Sequence, residues 1–467
     1  MKIVFVVPAP LLRRVPGYRL AGKAYGQPNS ITGPLILGGI LKRAGHDVEV
    51  YEELNGKLDM KQFLKADVVC LYTMTSTAPR AYELADFAHR RGHSRVIIGG
   101  MHATVCPEEA LQHADQVVTG EGENVITDIV EGRNTDKIVN APPIEDLDTV
   151  PFPDYSILKT ECDAANVLTT RGCPFRCTFC TTSRMFAPYR QRSIDNVIAE
   201  LRIYKKMGFR YMNFEDDNFT ADKERAKEIC RRMIREKLTF QETFFFGRTD
   251  LARDEELLTL LKEAHLTRVL IGIESLNQKA LDSINKHQNI DDIKAAAEAC
   301  RKHGIRLIAS VVLGLDEDSR KDIRRAVAFA RSIDAYQLQS AILTPFPGTP
   351  VYQQYMEEGR MITSEWGNYD LVDVTYIPKH MTPWQLQDEL YSAINYFYSF
   401  GSAFRIGRIF GAEYGWRRLK LAFYIHLGSW GARFCSKHAP QSYYYFLRQN
   451  SFQSNPEKGT AERMTQE

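Results

Sequence analysis

The sequence predicts an α/β protein with an N-terminal doubly wound, Rossmann-like parallel sheet, a partial (β/α)6 barrel of the TIM type and a C-terminal helical region. Short apolar runs alternate with helical patterns over residues 1–140 and again over 165–360. This alternation favours parallel sheets covered by helices. A proline-rich segment separates the two stretches, and after residue 360 helical patterns rich in aromatic residues take over.

The first stretch contains five apolar runs of strand length. The predicted strands lie at 3–7, 48–51, 68–72, 95–98 and 116–118, and helical patterns lie between them at 33–44, 59–65, 79–91 and 107–113. In such a sheet, ligands bind beyond the carboxyl ends of the strands. Small, hydroxylated and acidic residues at these ends form the candidate cofactor-binding set: Thr73, Ser76, Thr77, Gly99, Gly100, His102, Thr104, Gly120 and Glu121. A dinucleotide site is not predicted, because no Gly-x-Gly-x-x-Gly follows the first strand.

The middle of the chain predicts a linker and then a barrel. Residues 141–164 are rich in proline, which fixes φ and removes hydrogen-bond donors, so we expect a stiff, extended linker. Six strands are predicted after it, at 166–169, 211–214, 243–246, 268–273, 306–313 and 336–342. Ser193 and Asp254 are expected to cap two of the intervening helices. In a partial barrel of this kind, chemistry collects at the carboxyl ends of the strands.

A short loop after the first barrel strand holds Cys173, Cys177 and Cys180 in the spacing Cys-x3-Cys-x2-Cys. Thiolates suit zinc or iron–sulfur clusters. A closed structural zinc site uses four protein ligands, and no fourth cysteine or histidine follows nearby in the sequence. The loop therefore predicts a cluster with one open corner. The alternatives are buried cysteines without a metal, or a zinc site completed by a distant ligand.

With Phe179 before its last cysteine, this loop resembles the signature of the radical S-adenosylmethionine (radical SAM) enzymes. In that family the open iron of a 4Fe-4S cluster binds the amine and the carboxylate of SAM. The resemblance implies that Asp216 or Asp217 accepts a hydrogen bond from the SAM ammonium. It further implies that Arg248 pairs with the SAM carboxylate and that Glu274 holds the ribose diol.

The ends of the fourth and fifth strands extend the resemblance. Gly99-Gly100-x-His102-x-Thr104, followed by Gly120-Glu121-Gly122-Glu123, resembles the cobalamin-binding domain of cobalamin-dependent radical SAM enzymes. No Asp-x-His-x-x-Gly occurs, so ligation of the cobalt by a histidine below the corrin is not supported. We expect His102 to hydrogen-bond as a neutral imidazole at the rim of the cofactor pocket or to the neighbouring backbone. The alternatives are that it ligates a metal, or that the domain is vestigial and empty.

Composition and charge exclude several classes of protein. The chain has 44% apolar and 25% charged residues, and 60 Lys+Arg against 58 Asp+Glu give a net charge of +2, which indicates no nucleic-acid partner. No apolar stretch reaches the roughly 18 residues that cross a bilayer. The six cysteines outside the loop are scattered along the chain, which favours reduced thiols and a cytoplasmic location.

The C-terminal region, 361–453, mixes aromatic and basic residues on helical patterns. Seven Lys+Arg accompany a single acidic residue, Glu413, between 401 and 438. This pattern predicts contact with a bulky apolar substrate or peripheral contact with an anionic membrane surface. The alternative is a helical cap on the barrel with a solvated basic face. The polar end, 454–467, is expected to be disordered.

The resemblance implies a cobalamin-dependent radical SAM enzyme that cleaves SAM reductively to a deoxyadenosyl radical. It is nearest to hopanoid methylases and the anaerobic magnesium-protoporphyrin cyclase. We therefore expect methyl transfer to an unactivated carbon of a hydrophobic substrate (a lipid, an isoprenoid or a tetrapyrrole-like molecule), with electrons from a donor such as flavodoxin or ferredoxin. The alternatives are a cobalamin-dependent cyclase or oxidative enzyme without methyl transfer, a tRNA methylthiotransferase, and a cofactor carrier without catalytic activity.

The cysteine loop gives the first test. Cys177→Ala should abolish SAM cleavage, because a cluster that loses one of three thiolate ligands is not held in the redox-active form. Formation of deoxyadenosine under anaerobic, reducing conditions measures this activity. Cleavage that survives the substitution would end the cluster assignment.

Overall fold

The computed structural model describes residues 1–10, 29–92 and 94–450 of the 467-residue chain. The tail predicted to be disordered, 454–467, lies outside the described residues. The chain forms two compact units. The first unit comprises the described residues up to Pro174 together with 181–245, and the second comprises 175–180 and the residues from Phe246 to Asn450.

The first unit contains a six-stranded parallel sheet with the strand order β2-β1-β3-β4-β5-β6. The strands are β1 Lys2–Val7, β2 Asp47–Glu52, β3 Val68–Tyr72, β4 Arg95–Gly99, β5 Gln116–Gly120 and β6 Ile138–Ala141. This order is that of a flavodoxin-like doubly wound sheet, whose switch point lies between β1 and β3. The five strands predicted from the sequence are confirmed. The sixth was missed because only two apolar residues mark it, Ile138 and Val139.

Helices connect the strands of this sheet, as the parallel pairing requires. They are α1 Thr32–Arg43, α2 Met60–Leu64, α3 Ala78–Arg91, α4 Met101–Val105, α5 Pro107–Leu111 and α6 Ile126–Val130. The core on one face joins Val4, Val69 and Ile98 of the strands to Ala81 and Ala85 of α3, all fully buried. Helices α4 and α6 were not predicted.

A second six-stranded sheet has the order β14-β13-β12-β11-β10-β7. Its strands are β7 Ala164–Val167, β10 Tyr211–Phe214, β11 Glu242–Gly247, β12 Leu266–Glu274, β13 Arg306–Leu313 and β14 Gln337–Ile342. All six were predicted. A short antiparallel ribbon, β8 Thr170–Arg171 with β9 Arg190–Gln191, lies between β7 and β10 in sequence.

The helices of this region follow the predicted alternation. They are α7 Thr182–Met185, α8 Ile194–Met207, α9 Lys223–Arg235, α10 Glu255–Glu263, α11 Gln278–Ser283, α12 Ile290–Lys302, α13 Arg320–Ser332 and α14 Pro350–Glu357. Both predicted caps are present. The Ser193 hydroxyl accepts from the Asn196 amide at 3.2 Å, and Asp254 accepts from the Leu257 amide at 2.9 Å, which satisfies otherwise orphaned N–H groups in each first turn.

Four helices form the C-terminal region of the second unit, as predicted. They are α15 Pro383–Phe397, α16 Phe400–Phe410, α17 Ala412–His438 and α18 Tyr443–Gln449. Helix α15 begins with a capping box between Thr382 and Gln385 and packs Leu386 into the same core as Leu313 of β13. Among the residues that the structure describes, no helix is long and apolar enough to cross a membrane.

Candidate functional site

The cysteine loop begins and ends at the ribbon of the first unit. Strand β8 leads into Gly172 and Cys173, and strand β9 receives the chain at Arg190. Gly172 has a φ of +80°, and a Cβ there would lie 2.4 Å from the Phe186 carbonyl oxygen. Only glycine fits this position without displacing the backbone. The ribbon therefore fixes the direction in which the backbone leaves β8 and enters the cysteine loop.

A buried carboxylate fastens this ribbon to the first sheet. Arg171 and Arg190 pair across the ribbon, and both donate to Glu121, which follows β5. Arg171 Nη1 lies 2.9 Å from Glu121 Oε2, and Arg190 Nη2 lies 2.5 Å from Oε1. The Ile144 amide adds a third donor at 2.8 Å. We call Glu121, Arg171 and Arg190 the Glu121 clamp.

The electrostatics of the clamp hold Glu121 ionised. Glu121 is only 5% exposed, and burial alone would raise its pKa. The hydrogen bond from Arg190, the charges of Arg171 and Arg190, and the Ile144 amide together hold the pKa below its ordinary value. Removing this carboxylate would leave the buried Arg190 without its acidic partner, whereas Arg171 would keep its ion pair with Glu123.

Two of the predicted cofactor residues join neighbouring strands of the first sheet. The Thr73 hydroxyl, after β3, donates to the Gly99 carbonyl at 2.8 Å and accepts from the Ala103 amide at 3.2 Å. The Thr104 hydroxyl accepts from the Gly120 amide at 3.1 Å and donates to the Gly100 carbonyl at 2.9 Å. These hydroxyls fix the carboxyl ends of β3, β4 and β5 relative to one another.

The remaining members of the set lie in the same loops. Gly100 has a φ of +101°, and a Cβ would lie 2.7 Å from the Thr73 carbonyl oxygen, so the close approach of these two loops requires glycine. Thr77 is buried and its hydroxyl bonds back to the Met74 backbone, whereas Ser76 is half-buried. The structure therefore brings the whole predicted set to one edge of the sheet, and several of its polar groups hold the loops together.

His102 lies under this edge and is fully buried. Burial lowers the pKa of its imidazole, against the hydrogen bond to Glu109. The side chain is therefore neutral at pH 7, as expected from the sequence. Its Nε2 lies 3.4 Å from a Glu109 carboxylate oxygen, and its backbone amide donates to the Thr73 carbonyl at 3.1 Å.

Two acidic residues follow β10 in the first unit. Asp216 is fully buried; its Oδ1 accepts from the Thr170 amide at 2.5 Å and from the Thr170 hydroxyl at 2.6 Å. Its Oδ2 has no hydrogen-bond partner within the described part of the chain. Burial raises the pKa of Asp216. The side chain of Asp217 is in contact with solvent. Burial and the charge of Asp216 together raise the pKa of Asp217 to about 7.

In the second unit the rest of the cysteine loop rests on the segment that follows α11. The Thr178 amide donates to the Ile284 carbonyl at 3.1 Å, and the Asn285 side chain donates to the Arg176 carbonyl at 3.1 Å. Asn285 itself has a φ of +56°. This segment, residues 284–288, was not identified from the sequence. Its contacts join groups far apart in the chain, and no local pattern reveals them.

Cys177 and Cys180 lie on one turn of this loop, where the Cys180 amide donates to the Cys177 carbonyl at 3.3 Å. Burial raises the pKa of the Cys177 thiol, and the positive charges of Lys286 and Arg248 lower it in part. Arg248 lies over the Phe175 ring at 3.8 Å and donates to the Lys286 carbonyl at 2.5 Å. Two cations beside a cysteine favour its thiolate, the form that binds metal.

Glu274 ends β12 in a strained conformation. A bulge interrupts the strand between Gly272 and Glu274, and Glu274 has a φ of +58°, which costs about 1 kcal/mol or more for a side chain of this kind. Its carboxylate is 5% exposed and accepts from Lys286 Nζ at 2.5 Å. Gly272 makes room for this pair, because a Cβ there would lie 2.5 Å from Lys286 Nζ.

A further acid, Asp318, was also missed in the sequence. It is 2% exposed and accepts from the Ser275 hydroxyl at 2.9 Å, next to Glu274. Burial raises its pKa to about 7, although the hydrogen bond from Ser275 acts in the opposite direction. Asp318 lies in the loop between β13 and α13, which also contains Asp316. Asp316 is bound in an ion pair with Arg360, 2.5 Å away.

The donor chemistry fits the implied cofactors. Three thiols in one loop and cations beside Cys177 suit an iron–sulfur cluster. The unpartnered Oδ2 of buried Asp216 suits an ammonium group. Across the described residues, no three His, Cys, Asp or Glu side chains converge on a point where one metal ion would bind. A cubane makes a different demand, because each thiolate binds a separate iron atom.

The clamp yields a prediction about stability and cofactor retention. Glu121→Gln removes the charge shared by Arg171 and Arg190, so we expect it to cost about 3 kcal/mol of unfolding free energy. It should also lower the cobalt and iron retained per folded chain. Chemical denaturation and metal analysis measure the two effects.

Glu389→Gln provides the matched control for this substitution. Glu389 is buried and is shared by Arg320 and Arg324, but it lies in α15, outside the candidate site. It should cost some stability and leave the metal content per folded chain unchanged. Equal metal loss in the two variants would contradict a specific role for the clamp.

Asp318 yields a prediction about pH. Its pKa is about 7 in the folded protein against an ordinary 3.8. The stability tied to its proton is therefore complete below the unfolded pKa and is lost as pH rises through about 7. Asp318→Asn has no such proton. The melting temperature of the variant minus that of the wild type should therefore increase as pH rises from about 5 to about 8. A difference that does not change with pH would refute the assignment.

Asp322→Asn serves as the control for the pH experiment. The pKa of Asp322 is lowered, because its hydrogen bonds from Ser319 and the charge of Arg325 outweigh the effect of burial. Its contribution to stability is lost only as pH falls below the ordinary value, so this variant should show no pH-dependent difference in the same range.

Comparison with known proteins places these features in a family. Residues 167–330 match the model of the radical SAM superfamily, and residues 24–130 match that of the B12 binding domain. An uncharacterised methyltransferase of Pyrococcus horikoshii is 30% identical over 76% of this chain and 85% of its own length. The bacteriochlorophyllide d C-12(1)-methyltransferase of Chlorobaculum tepidum is 28% identical over 74% of this chain and 78% of its own. The anaerobic magnesium-protoporphyrin IX monomethyl ester cyclase of Rubrivivax gelatinosus is 27% identical over 78% and 72%.

Solved structures share the fold at low sequence identity. The radical SAM methyltransferase TsrM from Kitasatospora setae, with cobalamin and a 4Fe-4S cluster bound, superposes with a TM-score of 0.68 at 16% identity, over 92% of this chain and 99% of that one. The cobalamin-dependent SAM radical enzyme OxsB, with aqua-cobalamin bound, gives 0.66 at 14% identity, over 96% and 74%. The chain belongs to the cobalamin-dependent radical SAM enzymes, which use a 4Fe-4S cluster, SAM and cobalamin.

Proposed function

We propose that this enzyme cleaves SAM reductively and transfers a methyl group to an unactivated carbon of a hydrophobic substrate, most specifically a tetrapyrrole-like molecule. The observation that carries the proposal is the Glu121 clamp. In one compact unit, it fastens the edge of the B12-type sheet to the ribbon that opens the cysteine loop.

The cysteine loop would hold the cluster through Cys173, Cys177 and Cys180. When bound, the reduced cluster supplies one electron to break a carbon–sulfur bond of SAM, and cobalamin carries a methyl group. Lys286 and Arg248 keep positive charge beside Cys177, which favours the thiolate. The protein's part is to position these groups and to exclude water.

Four residues are proposed to bind SAM. Asp216 offers a carboxylate oxygen without a partner among the described residues, and Asp217 is the second candidate for the ammonium. Among the described residues, the Arg248 guanidinium donates two hydrogen bonds, both from Nη2, to the carbonyls of Lys286 and His287. The edge formed by Nε and Nη1 therefore suits a carboxylate. Glu274 is proposed to hold the ribose diol, with Lys286 fixing its orientation.

The cofactor set of the first sheet is proposed to hold the corrin. Thr73 and Thr104 fix the loops, and the small residues between them let a flat macrocycle approach the backbone. His102 is fully buried and neutral, which supports a mode of binding in which no histidine ligates the cobalt. Glu121 would hold this edge of the sheet in a fixed position relative to the start of the cysteine loop.

Two kinds of evidence support a hydrophobic, tetrapyrrole-like substrate. Two relatives have names that state bacteriochlorophyllide and magnesium-protoporphyrin substrates, and they cover about three quarters of this chain. The C-terminal region, unlike the sheets, is rich in exposed aromatic side chains such as Phe404 and Trp416. Such a region suits a large apolar molecule better than a charged metabolite.

A cyclase without methyl transfer is the second candidate, because one relative is named as an anaerobic cyclase. The two reactions share cofactors and differ in product. Methyl transfer adds the mass of a methyl group to the substrate, whereas cyclisation removes hydrogen and adds no carbon.

The wider organisation is proposed as follows. Residues 1–140 form the cobalamin-binding domain, 141–164 the linker, 165–360 the radical SAM barrel and 361–453 the helical region. Radical SAM enzymes take electrons from external donors, and a flavodoxin or ferredoxin in the cytoplasm would suit this one. Peripheral contact with the inner face of a membrane through the helical region would bring the enzyme to a hydrophobic substrate.

The proposal is tested by incubating the anaerobically reconstituted enzyme with cobalamin, a reductant and SAM bearing a deuterated methyl group. Chlorophyllide-type tetrapyrroles and isoprenoid lipids are the candidate acceptors, and Cys177→Ala is the control. We expect the deuterated methyl group in one tetrapyrrole product and in none with the variant. Deoxyadenosine formation with acceptor turnover but no transferred label would refute methyl transfer and favour the cyclase.

A further inference from the structure

Helix α17 exposes large apolar side chains while it buries polar ones. Its buried positions are Arg418, Leu421, Ala422, Ser429 and Ser436. Its outward positions hold five large apolar side chains that are at least half exposed: Trp416 at 65%, Phe423 at 56%, Leu427 at 54%, Trp430 at 65% and Phe434 at 50%. We call these five the aromatic stripe. A contiguous group of exposed large apolar side chains on a protein surface marks a site of contact with another molecule.

The spacing of the aromatic stripe makes it continuous. Its members lie seven, four, three and four residues apart, which places them along one side of a helix. Trp430 and Phe434 stack with their ring centroids 5.6 Å apart. From Trp416 to Phe434 the stripe is about 27 Å long at 1.5 Å per residue.

The neighbouring helix α16 adds to the exposed apolar surface of this hairpin. The two helices pack closely through glycine, since a Cβ on Gly415 would lie 2.9 Å from the Gly407 Cα. On α16, Phe404 is 80% exposed and Ile409 is 46% exposed. The hairpin is thus held together by small residues and presents its largest side chains to the outside.

The hairpin carries an excess of positive charge. Of its seven Lys+Arg between residues 401 and 438, three are paired with acids, Arg405 with Asp334, Arg417 with Glu413 and Arg433 with Asp388, and Arg418 is buried. Arg408, Lys420 and Lys437 are exposed. Lys420 occupies the helical position that continues the stripe between Trp416 and Phe423.

We propose that the α16–α17 hairpin docks on the surface of an anionic lipid bilayer, with the aromatic stripe in the headgroup boundary. Tryptophan and phenylalanine next to lysine and arginine are the composition of helices that lie in this interface, where they enter about 5–10 Å. Each exposed cation near an anionic surface strengthens binding about fivefold. The hairpin lies on the membrane and does not cross it.

Other occupants of the stripe are less consistent with these observations. The residues beyond Asn450 contain two large apolar side chains, Phe452 and Met464, among polar ones, which is too few to match five aromatic and aliphatic positions. A second copy of the chain would bring two positively charged surfaces face to face, which costs free energy. An anionic bilayer matches both the apolar stripe and the positive charge.

This inference rests on the peripheral membrane contact proposed above and names the surface that makes it. Lipid binding needs no cofactor and no turnover, so failure of this inference is distinguishable from failure of methyl transfer. The test uses co-sedimentation of the full chain with phosphatidylcholine vesicles, with or without phosphatidylglycerol. We expect binding to the anionic vesicles and much weaker binding to the neutral ones. Trp416→Ser combined with Trp430→Ser should weaken binding about tenfold or more, and Lys420→Glu combined with Lys437→Glu about fivefold for each lysine.

The control is Met207→Ser combined with Met356→Ser, which removes two apolar side chains of similar exposure, 50% and 53%, from α8 and α14. It should bind vesicles as wild type does. Absence of vesicle binding, equal binding to neutral vesicles, or equal loss in the control would overturn the proposal. So would a dimer seen by sedimentation that the tryptophan variant dissociates.

Discussion

The Glu121 clamp is the interaction on which the rest of the first unit depends. A carboxylate that is 5% exposed accepts from Arg171 of one strand and Arg190 of the next, and it does so at the carboxyl end of β5. A buried ion pair of this kind adds little net stability over an apolar contact of the same shape, but it is costly to break. It therefore acts mainly as a constraint on geometry. Because the ribbon it holds also begins the cysteine loop, the clamp fixes the start of that loop relative to the carboxyl end of β5.

In the second unit, the segment 284–288 holds the cysteine loop and two neighbouring side chains in place. The segment 284–288 receives the cysteine loop through Thr178, supports Arg248 through a backbone carbonyl and orients Glu274 through Lys286. The strained φ of Glu274 and the bulge before it are the kind of local cost that surrounding structure maintains at functional sites. Lys286 and Arg248 also place positive charge beside Cys177, so the same side chains act on the cysteine loop and on Glu274.

Much of this architecture could be predicted from the sequence, and the remainder could not for physical reasons. Eleven of the twelve strands in the two large sheets were found because apolar runs and helical periods are local signals; β6 has too few apolar residues to show one. The cysteine loop could be recognised because its three cysteines lie close together in the sequence. Lys286 and Asp318 were missed, since their importance comes from long-range contacts. In α17 the helical pattern was clear, but periodicity alone does not say which face is buried, and Arg418 lies on the inner face together with Leu421 and Ala422.

Metal analysis of the intact protein tests the central claim most directly. After anaerobic purification and reconstitution with iron, sulfide and cobalamin, the folded chain should retain about four irons, four sulfides and one cobalt. Its absorption spectrum should show both the cluster and the corrin. Iron in the absence of retained cobalt, or cobalt in the absence of a cluster, would contradict the account, because the proposed function requires both cofactors on the same chain.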